Sequence, residues 1–112
     1  MRMTDIPQRD WPAFLDRLAR EHRAWLATVE QDGRIAAREQ PLRAIRADGD
    51  IDIQVGERAI HVAAPRAVRV EQTGTGAVQA VEIEDAAGGR VQLRFRIAEP
   101  PGELDGIAPA EL

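Results

Sequence analysis

Chemistry in this chain has to come from Asp, Glu, His, Arg or Thr, because its 112 residues include no Ser, Lys, Asn, Tyr or Cys. Those absences remove most covalent nucleophiles and many proton donors. His22 and His61 are the only histidines. They fall on different expected elements, without an HExxH motif or closely spaced carboxylates, which is a weak pattern for a metal. A small enzyme would have to rely on a histidine–carboxylate pair such as His22 with Glu39. Asp48, Asp50 and Asp52 superficially follow calcium-loop spacing, but such a loop is non-repetitive and ends in a bidentate Glu. Here Asp50 and Asp52 alternate with Ile51 and Ile53, so a solvated strand face is expected. Glu82 and Glu84 are two apart on a strand, close enough for acid–base work. Arg90 and Arg94 should face them across the ladder, and an opposite charge lowers a carboxylate pKa. A salt-bridged surface is the expectation there, and no catalytic residue, metal or cofactor is assigned anywhere in the chain.

All 15 basic residues are Arg. Arg43, Arg46, Arg69, Arg94 and Arg96 could gather on one side of a sheet, as in small nucleic-acid-binding barrels. The aromatic platform of such a binder is missing, since Trp11, Phe14 and Trp25 lie on the N-terminal element and Phe95 should point inward. Charge also argues against nucleic acid. The net charge of -4 comes entirely from residues 98–112, where Glu99, Glu103, Asp105 and Glu111 stand without a base; residues 1–97 are neutral. A neutral body does not steer a polyanion. Thr73-Gly74-Thr75-Gly76 lacks the Lys and the following helix of a phosphate-binding loop.

These side chains must be positioned by few elements. Asp10 is an expected N-cap, Pro12 suits a first turn, and Trp11, Phe14, Leu15, Leu18, His22 and Trp25 recur at three- and four-residue steps, one stripe of an amphipathic helix. A strand should begin near Ala24. The turn Gln31-Asp32-Gly33 predicts a three-residue hairpin loop pairing Glu30 with Arg34, Val29 with Ile35 and Ala27 with Ala37. Pro41 should end or bend the returning strand. Asp48-Gly49 predicts a second hairpin with a bulge near Ile45–Ala47, and Gly56-Glu57-Arg58 turns into a strand whose Ile60 and Val62 face inward while His61 faces out. The closing hairpin sets Val81 opposite Leu93 and Ile83 opposite Val91, around Ala86-Ala87-Gly88. The segment Asp10–Val29 holds three of the four aromatic residues and is expected to supply most of the bulky core.

The sum is an α+β fold: an N-terminal amphipathic helix packed on a strongly curled antiparallel meander, or a small partly open β-barrel, of seven or eight strands. Curling is expected because an up-and-down sheet left flat would expose its edges. Residues 1–97 form a single helix-plus-β domain, and 98–112 form an acidic Pro/Gly-rich tail that is flexible or loosely docked. The absence of cysteine, of a membrane-length apolar run and of an apolar N-terminal leader points to a cytoplasmic protein. The runs WPAFLDRLAREHRAWLATVE (11–30), AREQPLRAI (37–45) and AVEIEDAAGGRVQLRFR (80–96) resemble a family of small bacterial proteins of uncharacterised function. The resemblance implies the order of helix, first strand and terminal hairpin, and it implies no activity. The leading expectation is a non-enzymatic protein-interaction or ligand-binding module, either a homodimer or bound to an unidentified protein partner. The alternatives are a weak nucleic-acid-binding barrel and a small histidine–carboxylate enzyme. Candidate interaction or pocket residues are Trp11, His22, Trp25, Arg43, Arg46, Arg94 and Arg96.

Overall fold

The computed structural model describes residues 2–23, 25–74 and 77–97. The acidic segment 98–112, expected to be flexible or loosely docked, and Thr75 and Gly76 of the Thr73–Gly76 turn lie outside the described residues. The chain opens with β1 (Arg2–Asp5), a 3-10 turn (Gln8–Asp10) and α1 (Trp11–Glu21). Seven strands follow: β2 (Trp25–Gln31), β3 (Arg34–Asp48), β4 (Asp50–Val55), β5 (Arg58–Val62), β6 (Pro65–Gln72), β7 (Val78–Asp85) and β8 (Arg90–Ile97). All ladders are antiparallel and form one eight-stranded sheet in the order β1-β6-β7-β8-β2-β3-β4-β5.

Helix plus antiparallel sheet is therefore the fold class, but the curled meander or partly open barrel is not. The order ends in two edges, β1 and β5, with no ladder joining them. Nor is it up-and-down: after β5 the chain crosses to the other half of the sheet, and β8 returns to pair with β2 along seven rungs from Trp25↔Ile97 to Gln31↔Val91. That return covers the edge which the sequence argument assigned to closure. The two terminal edges are short, four residues in β1 and five in β5. β1 has no signal in the sequence, because its four residues include a single apolar side chain, the exposed Met3, and carry no readable period.

β3 is the spine. Its first half, to Pro41, pairs with β2, and its second half, from Leu42, pairs with β4. Pro41 neither ends the strand nor interrupts a ladder bond it would have had to donate; its carbonyl accepts from Gly56 N at 2.8 Å. Residues 34–41 thus carry a strand on one side only. The bulge expected at Ile45–Ala47 lies instead between Leu42 and Ala44, where β3 changes partners; Ile45↔Ile53 and Ala47↔Ile51 are regular. The first hairpin is also corrected. Asp32 (φ 50) and Gly33 (φ 84) form a two-residue turn with left-handed backbone at both positions. Gln31 therefore pairs with Arg34, Glu30 with Ile35 and Val29 with Ala37, and β-bulges absorb the difference. The closing hairpin has the expected register, Val81↔Leu93 and Ile83↔Val91.

Asp10 stands at the N-cap of α1 but makes no side-chain cap bond, because the 3-10 turn already holds it in helical backbone (φ -95, ψ -5). α1 packs chiefly on β3 through Trp11, Leu15, Leu18 and Ala19. The bulky core is aliphatic and spread over the sheet: Leu15, Leu42, Ile51, Ile53, Ile83 and Leu93 are the largest fully buried side chains. The aromatic segment does not supply most of it. Trp11 is buried, while Trp25 and Phe14 are half-buried.

Candidate functional site

Two places in the fold collect polar side chains in an arrangement that could act, and they are not the ones the sequence favoured. The first runs along the one-sided half of β3. Its middle is a shallow groove of about 500 Å³ lined by Ala36, Ala37, Arg38, Gln40, Pro41 and Arg43 from β3 and by Gly56, Glu57 and Arg58 from the β4–β5 turn. It continues at one end past Arg34 and exposed Ile35, and at the other past Arg23. Local sequence explains its shape. Gly56 has a left-handed backbone (φ 57), and an added Cβ there would meet Gln40 Oε1 at 2.7 Å, so glycine lets the turn lie against β3. Arg43 Nε donates to Gly56 O at 2.9 Å, fixing that guanidinium at the groove's rim.

Among the described residues, no carboxylate is within ion-pair distance of Arg23, Arg34, Arg38, Arg43 or Arg58. Asp32 and Glu57 are the only acids in the linings. The groove therefore combines arginines that pair with no carboxylate among the described residues and a stretch of β3 with no described strand on its β4 side, where Pro41 O is already taken by Gly56 N and Arg38 O by the Gln40 amide.

The opposite case is the outer face of β6, β7 and β8. Glu84 binds Arg66 and Arg69, Glu82 binds Arg69 at 3.2 Å and Arg90 at 3.6 Å, and Asp5 of β1 reaches Arg69 at 3.2 Å. The hydrogen bond from Arg66, then that from Arg69, holds the Glu84 carboxyl below the usual carboxylate range. Arg94 faces Glu71 at 3.9 Å, and Arg96 donates to Glu39. Glu82 and Glu84 are salt-bridged, but chiefly by Arg66 and Arg69 of β6; of the two expected partners Arg90 reaches Glu82, whereas Arg94 faces Glu71. This surface also disperses the proposed nucleic-acid face, since Arg69, Arg94 and Arg96 are neutralised here while Arg43 and Arg46 lie elsewhere.

The second place is His61. It points outward from β5, as its alternation predicted, but it is held on both ring nitrogens: Nδ1 to Asp52 Oδ1 at 2.5 Å and Nε2 to Asp50 Oδ2 at 3.1 Å. The hydrogen bond to Asp52 is the main cause of its raised pKa. Asp50 also accepts from Ala64 N at 3.1 Å, so the cluster ties β4 to the Ala63–Ala64 link into β6. Arg46, Asp48 and Asp16 line the adjoining depression. Among the described residues no group of three or more His, Asp or Glu side chains is arranged to hold a metal. An imidazole with both nitrogens engaged has no free lone pair, so as it stands His61 is a tie and not a general base.

The remaining sequence candidates sit apart from both places. Trp11 is core, its Nε1 donating to Ile6 O at 2.8 Å. His22 is buried, its Nδ1 lying 2.9 Å from Leu18 O, and its ring packs 4.8 Å from those of Trp25 and Phe95. Glu39 is on Arg96, not on His22. Of the seven candidates only Arg43 belongs to the basic groove. The grouping of Arg23, Arg34, Arg38 and Arg58 is not legible in sequence because it depends on β3 exchanging β2 for β4 at Pro41 and Leu42; the Gly56-Glu57-Arg58 turn is the available signal.

A family model described as a family of unknown function (DUF5335) matches residues 2–104. The chain belongs to that family. The match spans α1 and every strand, so the DUF5335 unit includes the unexpected β1 and both halves of β3. No curated protein and no solved structure matches the chain. Among the described residues of this DUF5335 member, no helix is long and apolar enough to cross a membrane.

Proposed function

We propose that the protein is a non-enzymatic interaction module that receives an acidic peptide in extended conformation along residues 34–41 of β3. One observation carries this reading: among the described residues, this half of β3 has no strand on its β4 side and is bordered by guanidinium groups with no carboxylate in ion-pair distance. Extended peptides add to such edges through main-chain hydrogen bonds, and side chains at the rim choose among them. Guanidinium pairs with carboxylates in a fixed fork, which favours Asp or Glu at alternate peptide positions. An oligonucleotide is disfavoured because, among the described residues, no aromatic ring lines the groove on which a base could stack. A cytoplasmic setting fits the cysteine-free chain. The small-enzyme reading has one observation of its own, His61 beside Asp50 and Asp52, and would require one ring nitrogen to be released.

Fluorescence anisotropy of a labelled peptide alternating Glu and Val tests the proposal. The expected result is saturable binding that weakens with salt. Arg38→Glu with Arg58→Glu removes two exposed ion pairs and adds repulsion, together about 1–3 kcal/mol, so binding should weaken about 5- to 150-fold. Equal binding of a basic peptide, binding of an oligonucleotide alone, or no binding at millimolar peptide would overturn it.

A further inference from the structure

The same groove lies beside the point where the chain leaves the sheet. β8 ends at Ile97, opposite Trp25, and on the next rung Leu26 of β2 stands between Arg96 and Pro41. Two strand spacings, about 10 Å, therefore separate the end of β8 from Pro41. Pro41 is shared by the groove and by its continuation past Arg23. Residues 98–112 follow Ile97 and carry Glu99, Glu103, Asp105 and Glu111 with no base. At about 3.3 Å per residue they span up to about 50 Å, enough to run the length of β3's free half.

From these observations we infer that the acidic segment 98–112 is an intramolecular occupant of the basic groove, competing with any acidic peptide from outside. The inference rests on the reading of that groove as an acid-binding strand edge, and it adds regulation to it. Four carboxylates meet arginines that no described residue neutralises, and tethering gives the segment a high effective concentration there. An external peptide must displace it, so its apparent affinity is lowered by the fraction of molecules in which the groove is already filled.

The full-length protein allows a direct test, because a chain without cysteine takes a single nitroxide label at Ala108→Cys. Paramagnetic broadening should concentrate on the amides of Ile35, Arg38, Arg43 and Arg58. It should disappear in Arg38→Glu/Arg58→Glu and in 1 M salt, and it should be absent when labelled unenriched protein is mixed with unlabelled enriched protein. Neutralising the segment (Glu99→Gln, Glu103→Gln, Asp105→Asn, Glu111→Gln) should raise the affinity for the labelled Glu/Val peptide by about tenfold. Broadening spread evenly over the surface, confined to another face, or seen only in the mixed sample would overturn the inference. The two readings fail separately. Groove broadening without peptide binding sinks the proposed function alone, whereas peptide binding that neutralisation leaves unchanged sinks the intramolecular occupant alone.

Discussion

Leu42→Ala is the perturbation that bears hardest on β3 as the spine of the fold. Leu42 is 1% exposed and sits on the rung where β3 passes from β2 to β4, paired with Val55. Truncation removes three carbons from a site without solvent, about 2.4 kcal/mol at about 0.8 kcal/mol for each. A cavity between α1, β3 and β4 cannot collapse freely, because Pro41 O is tied to Gly56 N and Arg43 Nε to Gly56 O on the flanking residues. The expected total is about 3–4 kcal/mol, within the range known for buried Leu→Ala. For a domain of this size that lowers Tm by roughly 12–30 °C. The assay is urea unfolding followed by tryptophan fluorescence and by far-UV circular dichroism, with an unchanged m value and coincident transitions. Leu26→Ala is the control: Leu26 occupies the neighbouring rung opposite Pro41 but is only half-buried, so its loss should cost about 1–2 kcal/mol. A Leu42→Ala cost below about 1 kcal/mol, or one no larger than that of Leu26→Ala, would refute the continuous strand.

Other consequences can be checked on the same preparations. Trp11→Phe leaves Ile6 O without its indole donor and should cost about 1–3 kcal/mol, with faster amide exchange concentrated in β1. Gly33→Ala has open space for its Cβ but a φ of +84, so it should cost about 1–2 kcal/mol through backbone strain alone, read by thermal melting. Glu84 has a lowered pKa in the folded protein, so its contribution is complete above the ordinary carboxylate range and is lost as pH falls through the folded value; Glu84→Gln should flatten the acid side of the stability profile. His61 has a raised pKa, so its contribution is complete below about 6.5 and is lost as pH rises through the folded value. His61→Gln should flatten that alkaline decline, and slower proteolysis of the wild-type Ala63–Ala64 link at pH 6 than at pH 8.5 should vanish with it.

What could be read directly was local. The β7–β8 hairpin was legible because its alternating apolar pairs and a short loop admit one register, but that register accounts only for Arg90 on Glu82; the pairing of Glu84 and Glu82 with Arg66 and Arg69 depends on β6 lying alongside β7. The helix was legible from its apolar stripe. The β2–β3 hairpin was found, but its register was not, because a two-residue turn with both φ values positive and a three-residue loop ending in Gly share the signature Asp32-Gly33, and bulges hid the difference. The strand order was not legible: it depends on β8 choosing β2 over an end of the sheet, a pairing of residues far apart in the chain. That choice also made closure unnecessary. The basic groove was hidden for a related reason. Nothing in the run IRADG or the run AREQP reveals that β3 exchanges one neighbour for another at Pro41 and Leu42, and only that exchange sets Arg38 and Arg58 beside one unpaired edge. The clustering of His61 with Asp50 and Asp52 follows from the β4–β5 register, which places His61 opposite Asp52. The alternation of each strand is legible alone, whereas the register that sets one against the other is not.

The central claim is that the free half of β3 accepts an acidic extended strand. Titration of the isotopically enriched protein with the alternating Glu/Val peptide, followed amide by amide, tests it most directly. The account predicts saturable shifts at Ile35, Arg38, Arg43 and Arg58, together with new exchange protection in residues 34–41. Shifts confined to the β6–β8 outer face or to the exposed side of α1, or shifts in the groove without protection of the β3 amides, would contradict it.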